Sequence, residues 1–161
     1  MEPDDLDIKT LSLLCQRGRM TWAELAGQLG LSAPAAADRV KRLEERGIIT
    51  GYSVLLDAAA LGLNLTAFIA VTLDHPRHRA GFLAQVAASA EILECHHVTG
   101  DDDYLLKVRC CHTRALEALI TNQLKEIEGV AKTRTLIVLS TVKETQVPPL
   151  GHLPPSHSRE S

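Results

Sequence analysis

Aromatic residues are scarce in this sequence, at 3 % of 161 residues. So few rings cannot supply the stacking platform with which proteins read single-stranded nucleic acids. Long hydrophobic runs are also missing, because polar residues interrupt each apolar stretch well before the roughly 18 residues that a membrane-spanning helix requires. The first residues are acidic rather than typical of a signal peptide. We therefore expect a cytoplasmic protein without a membrane partner.

Cysteine is scarce too, with four residues at irregular spacing and no CxxC pair. This arrangement predicts neither a disulfide framework nor a zinc finger. Cys95, His96 and His97 suggest metal ligands, but on a strand just Cys95 and His97 share a face, and no third ligand is nearby. Glycine-rich phosphate motifs, HExxH and a catalytic triad are absent. We expect a protein that is not an enzyme and that has no metal and no cofactor.

Positive charge is not in excess, because 17 Lys and Arg face 20 Asp and Glu, for a net charge of −3. The chain as a whole therefore has no general attraction for nucleic acids. Between Arg17 and Arg46, however, six basic residues face four acidic ones. Any affinity for DNA must come from this local patch.

Helical spacing of apolar residues predicts three short helices between residues 4 and 49. The second begins at Thr21, which forms a capping box with Glu24, and it ends at Gly30. Ser32 caps the third helix, which places three small or aliphatic side chains on one face: Ala36, Val40 and Leu43. Two capped helices joined by a tight glycine turn indicate a helix-turn-helix.

The outward face of the third helix is the first functional candidate. If the apolar stripe faces the core, an outer stripe carries Ala35, Arg39, Arg42 and Arg46. The residues predicted to contact double-stranded DNA are Ser32, Pro34, Ala35, Asp38, Arg39, Arg42 and Arg46. The alanines offer few hydrogen-bonding atoms, so we expect loose sequence specificity with a contribution from DNA shape. The alternative is that the charged stripe is merely a solvated helix face.

The second half of the sequence predicts a separate domain that contains both strands and helices. Strands are predicted at 65–73, 92–99, 103–110 and 132–142, and helices at 79–89 and 114–127. The order βαββαβ indicates a ferredoxin-like domain, and the class is therefore α+β. The predicted domains are a DNA-binding domain at 1–51, a linker at 52–64, the ferredoxin-like domain at 65–145 and a disordered tail at 146–161. One sheet face would stay bare and apolar, which predicts a homodimer.

The predicted hairpin between the second and third strands is the other functional candidate. It comprises Thr99, Gly100, Asp101, Asp102, Asp103 and Tyr104. Turn amides can bind a carboxylate and aspartates can bind an ammonium group, which together suit an amino acid. A plain hairpin is the alternative, since glycine and aspartate favour turns anyway, and a divalent metal is a further one.

With these residues in hand, the chain resembles the Lrp/AsnC (leucine-responsive, feast/famine) family of transcriptional regulators. The resemblance runs from about Leu6 to Lys143. It is carried by four ordered blocks: LSAP at 31–34 with RVKRLE at 39–44, GIITGY at 47–52, ECHHVTGDDDYLLK at 94–107, and GVAKTRT at 129–135.

The resemblance implies a winged helix-turn-helix, a hinge strand near Tyr52 and a C-terminal domain that senses amino acids. It also implies dimers that assemble into an octamer or a similar ring, with the effector bound between subunits near the glycine turn. Gly100, Asp101, Asp103 and Tyr104 match that turn, and Thr133 and Thr135 match a strand near the pocket.

Two features depart from the family pattern. Asp102 stands where an aromatic or apolar residue is frequent, and its charge favours a cationic effector such as lysine or arginine. The first residues are acidic (Glu2, Asp4, Asp5 and Asp7), where an arm contacting DNA would be basic.

Two other functions fit the same resemblance. Some proteins of this build decarboxylate tetrapyrroles such as sirohaem, and His96 and His97 are the residues that would fit such a role. The other alternative is an architectural DNA-binding protein that responds to no effector.

Overall fold

The computed structural model describes residues 3–152, which divide into two compact units. The N-terminal unit contains the chain up to Leu55 and also the described residues from Lys143 on. The C-terminal unit is Leu56–Val142.

Three helices form the N-terminal unit: α1 (Asp5–Gln16), α2 (Trp22–Leu29) and α3 (Ala33–Glu45). The capping box of α2 is confirmed, since Glu24 N–H donates to Thr21 Oγ1 and Thr21 N–H donates to the Glu24 carboxylate. Gly30 ends α2 with φ +69°, a conformation that glycine adopts without steric cost. The buried stripe of α3, Ala36, Val40 and Leu43, is confirmed as well. The predicted helix-turn-helix is therefore present.

A four-stranded antiparallel sheet with two helices forms the C-terminal unit. Its elements are β1 (Leu65–Leu73), α4 (Arg79–Ala88), β2 (Ile92–His97), β3 (Tyr104–Cys110), α5 (Thr113–Asn122) and β4 (Val130–Ile137). The strand order is β2-β3-β1-β4. This is the predicted ferredoxin-like topology, and the α+β class is confirmed.

The two faces of the sheet have different environments. Alternate residues of β1 and β3, such as Ile69 and Leu106, pack with Phe82 of α4 and Leu119 of α5 in one buried core. The intervening residues point to the opposite face, because side chains alternate along a strand. On that face Phe68 lies between its register partners Lys107 and Leu136, and Leu136 is 50 % exposed.

The last helix and the last strand are shorter than predicted. The helix α5 ends at Asn122, and a separate 3-10 helix covers Leu124–Glu126. The strand β4 begins at Val130 and ends at Ile137, rather than covering 132–142, because a strand continues only while its neighbour offers hydrogen bonds. Beyond that point the chain leaves the sheet, and Leu139 is 97 % exposed.

Three further expectations also differ from the structure. The linker predicted at 52–64, with a hinge strand near Tyr52, contains no strand, since no described strand pairs with it. No strand occurs among the described residues between α3 and β1, so no β-hairpin wing follows α3 there. The tail predicted to be disordered contains a 3-10 helix at Leu150–His152 that contacts α1. The remainder of that tail, 153–161, lies outside the described residues.

Gly129 generates a stability prediction for the C-terminal unit. Its φ is +87°, and a Cβ there would overlap both the ring and the Cβ of His78. Gly62 has a similar φ of +80° but open space around it. Gly62→Ala should therefore cost about 1–2 kcal/mol of unfolding free energy for backbone strain alone. Gly129→Ala should cost about 1–3 kcal/mol more from overpacking, as measured by chemical denaturation.

His78→Gly provides the control, because removing both the ring and the Cβ should abolish most of the difference between the two glycine variants. Equal losses in Gly129→Ala and Gly62→Ala would contradict the packing argument.

Candidate functional site

Six of the seven residues predicted to contact DNA are exposed. They are Ser32, Pro34, Ala35, Asp38, Arg42 and Arg46. Ser32 caps the helix by accepting a hydrogen bond from Ala35 N–H at 3.4 Å. The Arg42 side chain is 57 % exposed, and its Nε lies 3.6 Å from an Asp38 carboxylate oxygen.

Lys41 is a cation on the exposed part of α3 that the sequence prediction left out. Its side chain is 70 % exposed and pairs loosely with Glu45 at 3.6 Å. The signal was its position next to Arg42 on the polar side of the apolar stripe. Lys41 and Arg42 are therefore the most exposed cations of α3.

The Arg39 side chain does not point outward with Arg42 as predicted, and Arg46, although an exposed residue, turns its side chain towards Asp7. The Arg39 side chain is just 16 % exposed. Its Nη1 donates to both carboxylate oxygens of Asp4, at 2.8 and 2.9 Å, and to Asp7. Arg46 pairs with the other oxygen of Asp7 at 3.2 Å. The physical reason is that Arg39 lies three residues after Ala36 and four before Leu43, which places it beside the buried stripe.

The acidic start of the chain has two structural roles. Asp4 caps α1 by accepting from Asp7 N–H at 2.6 Å, and Asp7 accepts in return from Asp4 N–H at 3.2 Å. Both carboxylates also neutralise Arg39. The hydrogen bond from Arg39 lowers the pKa of Asp4, and the one accepted by Asp4 raises the pKa of Arg39. These aspartates therefore belong to the seam between α1 and α3.

The hairpin of the C-terminal unit is held by Asp103. Its carboxylate accepts from Leu73 N–H at 2.7 Å, and its own N–H donates to Val71 O at 2.9 Å. Gly100 has φ +120°, which side chains rarely adopt. Within the described chain, the amides of residues 99–102 donate no hydrogen bond. The turn thus presents a group of available N–H donors.

Asp102 is neutralised within the chain. Its carboxylate accepts from Arg134 Nη2 at 2.8 Å and from Thr72 Oγ1 at 3.1 Å. The hydrogen bond from Arg134 lowers the pKa of Asp102. Because the extra negative charge already has a cationic partner, the expectation that it favours a lysine or arginine effector loses its basis.

The predicted effector residues on the strands face the helices, whereas Asp102 contacts side chains on the opposite face of the sheet. Tyr104 and Thr133 are both register partners of Val71, which faces the helices, and Thr135 pairs with Ile69 on the same side. The Tyr104 hydroxyl is buried and has no hydrogen-bond partner among the described residues. Arg134, the partner of Asp102, pairs with Ala70 and so points to the opposite face. The contacts of Asp102 therefore lie on the opposite side of the sheet from the side chains of Tyr104, Thr133 and Thr135.

The histidines of β2 have ordinary partners. His96 Nε2 lies 3.0 Å from Glu94, and the His97 ring stacks on Tyr104 with centroids 5.2 Å apart. Across residues 3–152 no group of three or more His, Cys, Asp or Glu side chains is arranged to hold a metal ion.

Comparison with protein families decides the relationship. Residues 3–50 match a winged helix-turn-helix DNA-binding model, and residues 66–148 match the Lrp/AsnC ligand binding domain. The chain belongs to the Lrp/AsnC family. It is 39 % identical to the leucine-responsive regulatory protein of Haemophilus influenzae over 144 residues, covering 88 % of this chain and 87 % of the relative. It is 35 % identical to the Bkd operon transcriptional regulator of Pseudomonas aeruginosa, covering 92 % and 99 %.

Solved Lrp/AsnC structures agree with this assignment. A transcriptional regulator of Neisseria meningitidis in complex with L-methionine has a TM-score of 0.89 and 35 % identity, covering 92 % of this chain and 97 % of that chain. AsnC of Escherichia coli has a TM-score of 0.86 and 30 % identity, covering 91 % and 99 %. The feast or famine regulatory protein of Mycobacterium tuberculosis, complexed with L-methionine, has a TM-score of 0.84 and 35 % identity, covering 91 % and 99 %. Among the described helices of this Lrp/AsnC chain, none is long and apolar enough to cross a bilayer.

The pair between Asp102 and Arg134 generates a pH prediction. The folded pKa of Asp102 lies below its ordinary value of about 4, so the pair stabilises fully above that value. The stabilisation is lost as the pH falls through the lowered pKa. Arg134→Gln should raise the Asp102 pKa towards the ordinary value, as followed by carboxyl NMR signals over a pH series.

Lys132→Gln is the matched control, because Lys132 acts on Asp102 through charge and is the smallest contribution to its pKa. Lys132→Gln should therefore raise the Asp102 pKa less than Arg134→Gln. Equal shifts in the two variants would exclude the hydrogen bond as the main cause.

Proposed function

We propose that this Lrp/AsnC chain is a transcriptional regulator that binds duplex DNA through α3 and whose assembly or DNA affinity responds to an amino acid. The observation that carries the proposal is the exposed Arg42 on the second helix of a capped helix-turn-helix. In this motif the second helix enters the major groove and its N-terminal residues reach base edges.

The chemistry of α3 supports a division of roles. Ser32 and Asp38 offer hydrogen-bonding atoms near the helix start, while Pro34 and Ala35 offer apolar contact. The exposed Arg42–Asp38 pair is weak, about 0.3–0.5 kcal/mol, so Arg42 can exchange Asp38 for a phosphate or a guanine edge at little cost. Few side chains can then read bases directly, and DNA shape supplies the rest of the selectivity.

We propose that the chain acts as a homodimer that assembles further into an octamer or similar ring. Support comes from exposed apolar side chains in each unit. In the N-terminal unit Val54 is 78 % and Leu55 is 91 % exposed; in the C-terminal unit Leu136 is 50 % and Ile137 is 50 % exposed. Burial of such surface against a second copy is the usual reason for a homodimer.

We propose that an amino acid binds at the 99–104 turn, in a pocket completed by another subunit. The available amides of the turn suit a carboxylate, and two solved relatives are complexes with L-methionine. A ligand shifts an assembly only by its different affinity for two arrangements. Binding at a subunit contact supplies that difference.

No observation on the described residues favours an enzymatic role. We therefore propose neither a cofactor nor a catalytic residue. The relatives are named as regulators of transcription. Because the DNA that it would bind is genomic DNA, we propose a cytoplasmic location.

Arg42→Ala tests the DNA-binding face. It should weaken binding to all duplex sequences and reduce the slope of log affinity against log salt by about one, because one phosphate contact is lost. Arg114→Ala is the charge-matched control, since Arg114 is exposed on α5 of the other unit. Fluorescence anisotropy over a salt series measures both. Equal effects of the two variants would contradict the assignment of α3.

Isothermal calorimetry against the twenty amino acids, paired with light scattering, tests the effector. We expect at least one amino acid, with L-methionine tested first, to bind and to change the mass of the assembly. Gly100→Thr should abolish binding, because a β-branched side chain does not adopt the φ of +120° on which the turn depends. A monomer that binds no amino acid would contradict both the assembly and the effector.

A further inference from the structure

Arg39 lies next to the proposed DNA-binding face of α3, but its side chain is paired with carboxylates and is not available to DNA. It is three residues before Arg42, which corresponds to a rise of about 4.5 Å along the helix. The Arg39 side chain is 16 % exposed, whereas that of Arg42 is 57 % exposed. At its position beside the buried stripe of α3, the Arg39 guanidinium is held by the carboxylates of Asp4 and Asp7.

We propose that Asp4 and Asp7 form an acidic brace that competes with DNA phosphates for Arg39, and so limits the DNA affinity and its salt dependence. The inference rests on the proposed DNA-binding function of α3. It assigns to the acidic N-terminus a role in DNA binding rather than in helix capping alone.

Carboxylates and DNA phosphates compete for Arg39 because both offer its guanidinium the same kind of contact. A phosphate and a carboxylate are both anions that accept hydrogen bonds from a guanidinium. Asp4 is the replaceable partner, because its side chain is 59 % exposed, whereas that of Asp7 is 8 % exposed. Arg39 held by the brace neutralises no phosphate and releases no counterion. Each cation withheld in this way makes the salt dependence shallower.

Asp4→Asn removes the exposed, replaceable charge of the brace while keeping the cap. Asparagine caps a helix about as well as aspartate, because its side-chain oxygen also accepts from the backbone. The hydrogen bond from Asp7 N–H can therefore persist, and α1 should fold. Asp4→Asn combined with Asp7→Asn extends the test to both carboxylates.

Asp5→Asn is the matched control. Asp5 is exposed in the same helical turn, and within the described residues it makes no hydrogen bond or ion pair. The control changes the net charge by the same amount and leaves Arg39 with both of its partners.

The experiment measures binding of the full-length chain to a mixed-sequence duplex of about 30 base pairs, where phosphate contacts dominate. Asp4→Asn should add one phosphate contact. This contact should steepen the slope of log affinity against log salt by about 0.9. The ratio of affinity at 50 mM salt to that at 200 mM salt should then rise about 3.5-fold over Asp5→Asn. Circular dichroism checks that α1 remains folded.

Arg39→Gln identifies the cation responsible. In the natural background it should leave the salt slope unchanged, because Arg39 is already withheld. In the Asp4→Asn background it should cancel the steeper slope. This dependence on background distinguishes competition for Arg39 from a general change in net charge.

Failure of the proposed DNA-binding function and failure of the acidic brace give different results in this experiment. If no variant, nor the natural chain, binds the duplex at low salt, the proposed DNA-binding function fails. If all bind, but neither brace variant steepens the slope relative to Asp5→Asn, the brace is overturned. A steeper slope that persists with Arg39→Gln would also overturn it.

Discussion

The burial of one face of α3 determines how the N-terminal unit presents its charges. Ala36, Val40 and Leu43 are at most 1 % exposed, so the rotation of the helix about its axis has little freedom. Turning α3 to expose another face would bring these apolar side chains into water, at about 25 cal/mol per Å² of apolar surface. The rotation that buries them points Arg42 outward and Arg39 towards α1.

That rotation also gives Asp4 and Asp7 a role beyond the capping of α1. A guanidinium beside an apolar seam needs an anionic partner, because burying an unpaired charge is costly. Asp4 and Asp7 supply the partners while they cap α1, so two carboxylates satisfy both the backbone and Arg39. Helix capping, helix packing and the exposure of the cations on α3 are thus linked in one cluster.

In the C-terminal unit the corresponding constraint is the alternation of side chains along the strands. Side chains on one face of the sheet form a core with α4 and α5. Side chains on the other face, among them Phe68 and Leu136, stay partly exposed near charged residues. The hairpin at Gly100 lies where β2 turns into β3, and Asp103 anchors it to the end of β1. In the proposed homodimer, a second copy of the chain would cover this face and supply the other side of the proposed effector pocket.

Local chemistry was readable from the sequence by itself: the caps at Thr21 and Ser32, the glycine turn at Gly30, the period-two strand at 65–73 and the βαββαβ order. These depend on neighbours within a few residues, so spacing and residue type were sufficient to predict them. Tertiary structure alone decided that Arg39 and Arg46 bind Asp7, that Arg134 neutralises Asp102, and that β4 stops at Ile137. Each of these depends on partners about 30 or more residues away in the chain, or on where a neighbouring strand ends, and no local pattern encodes such a contact.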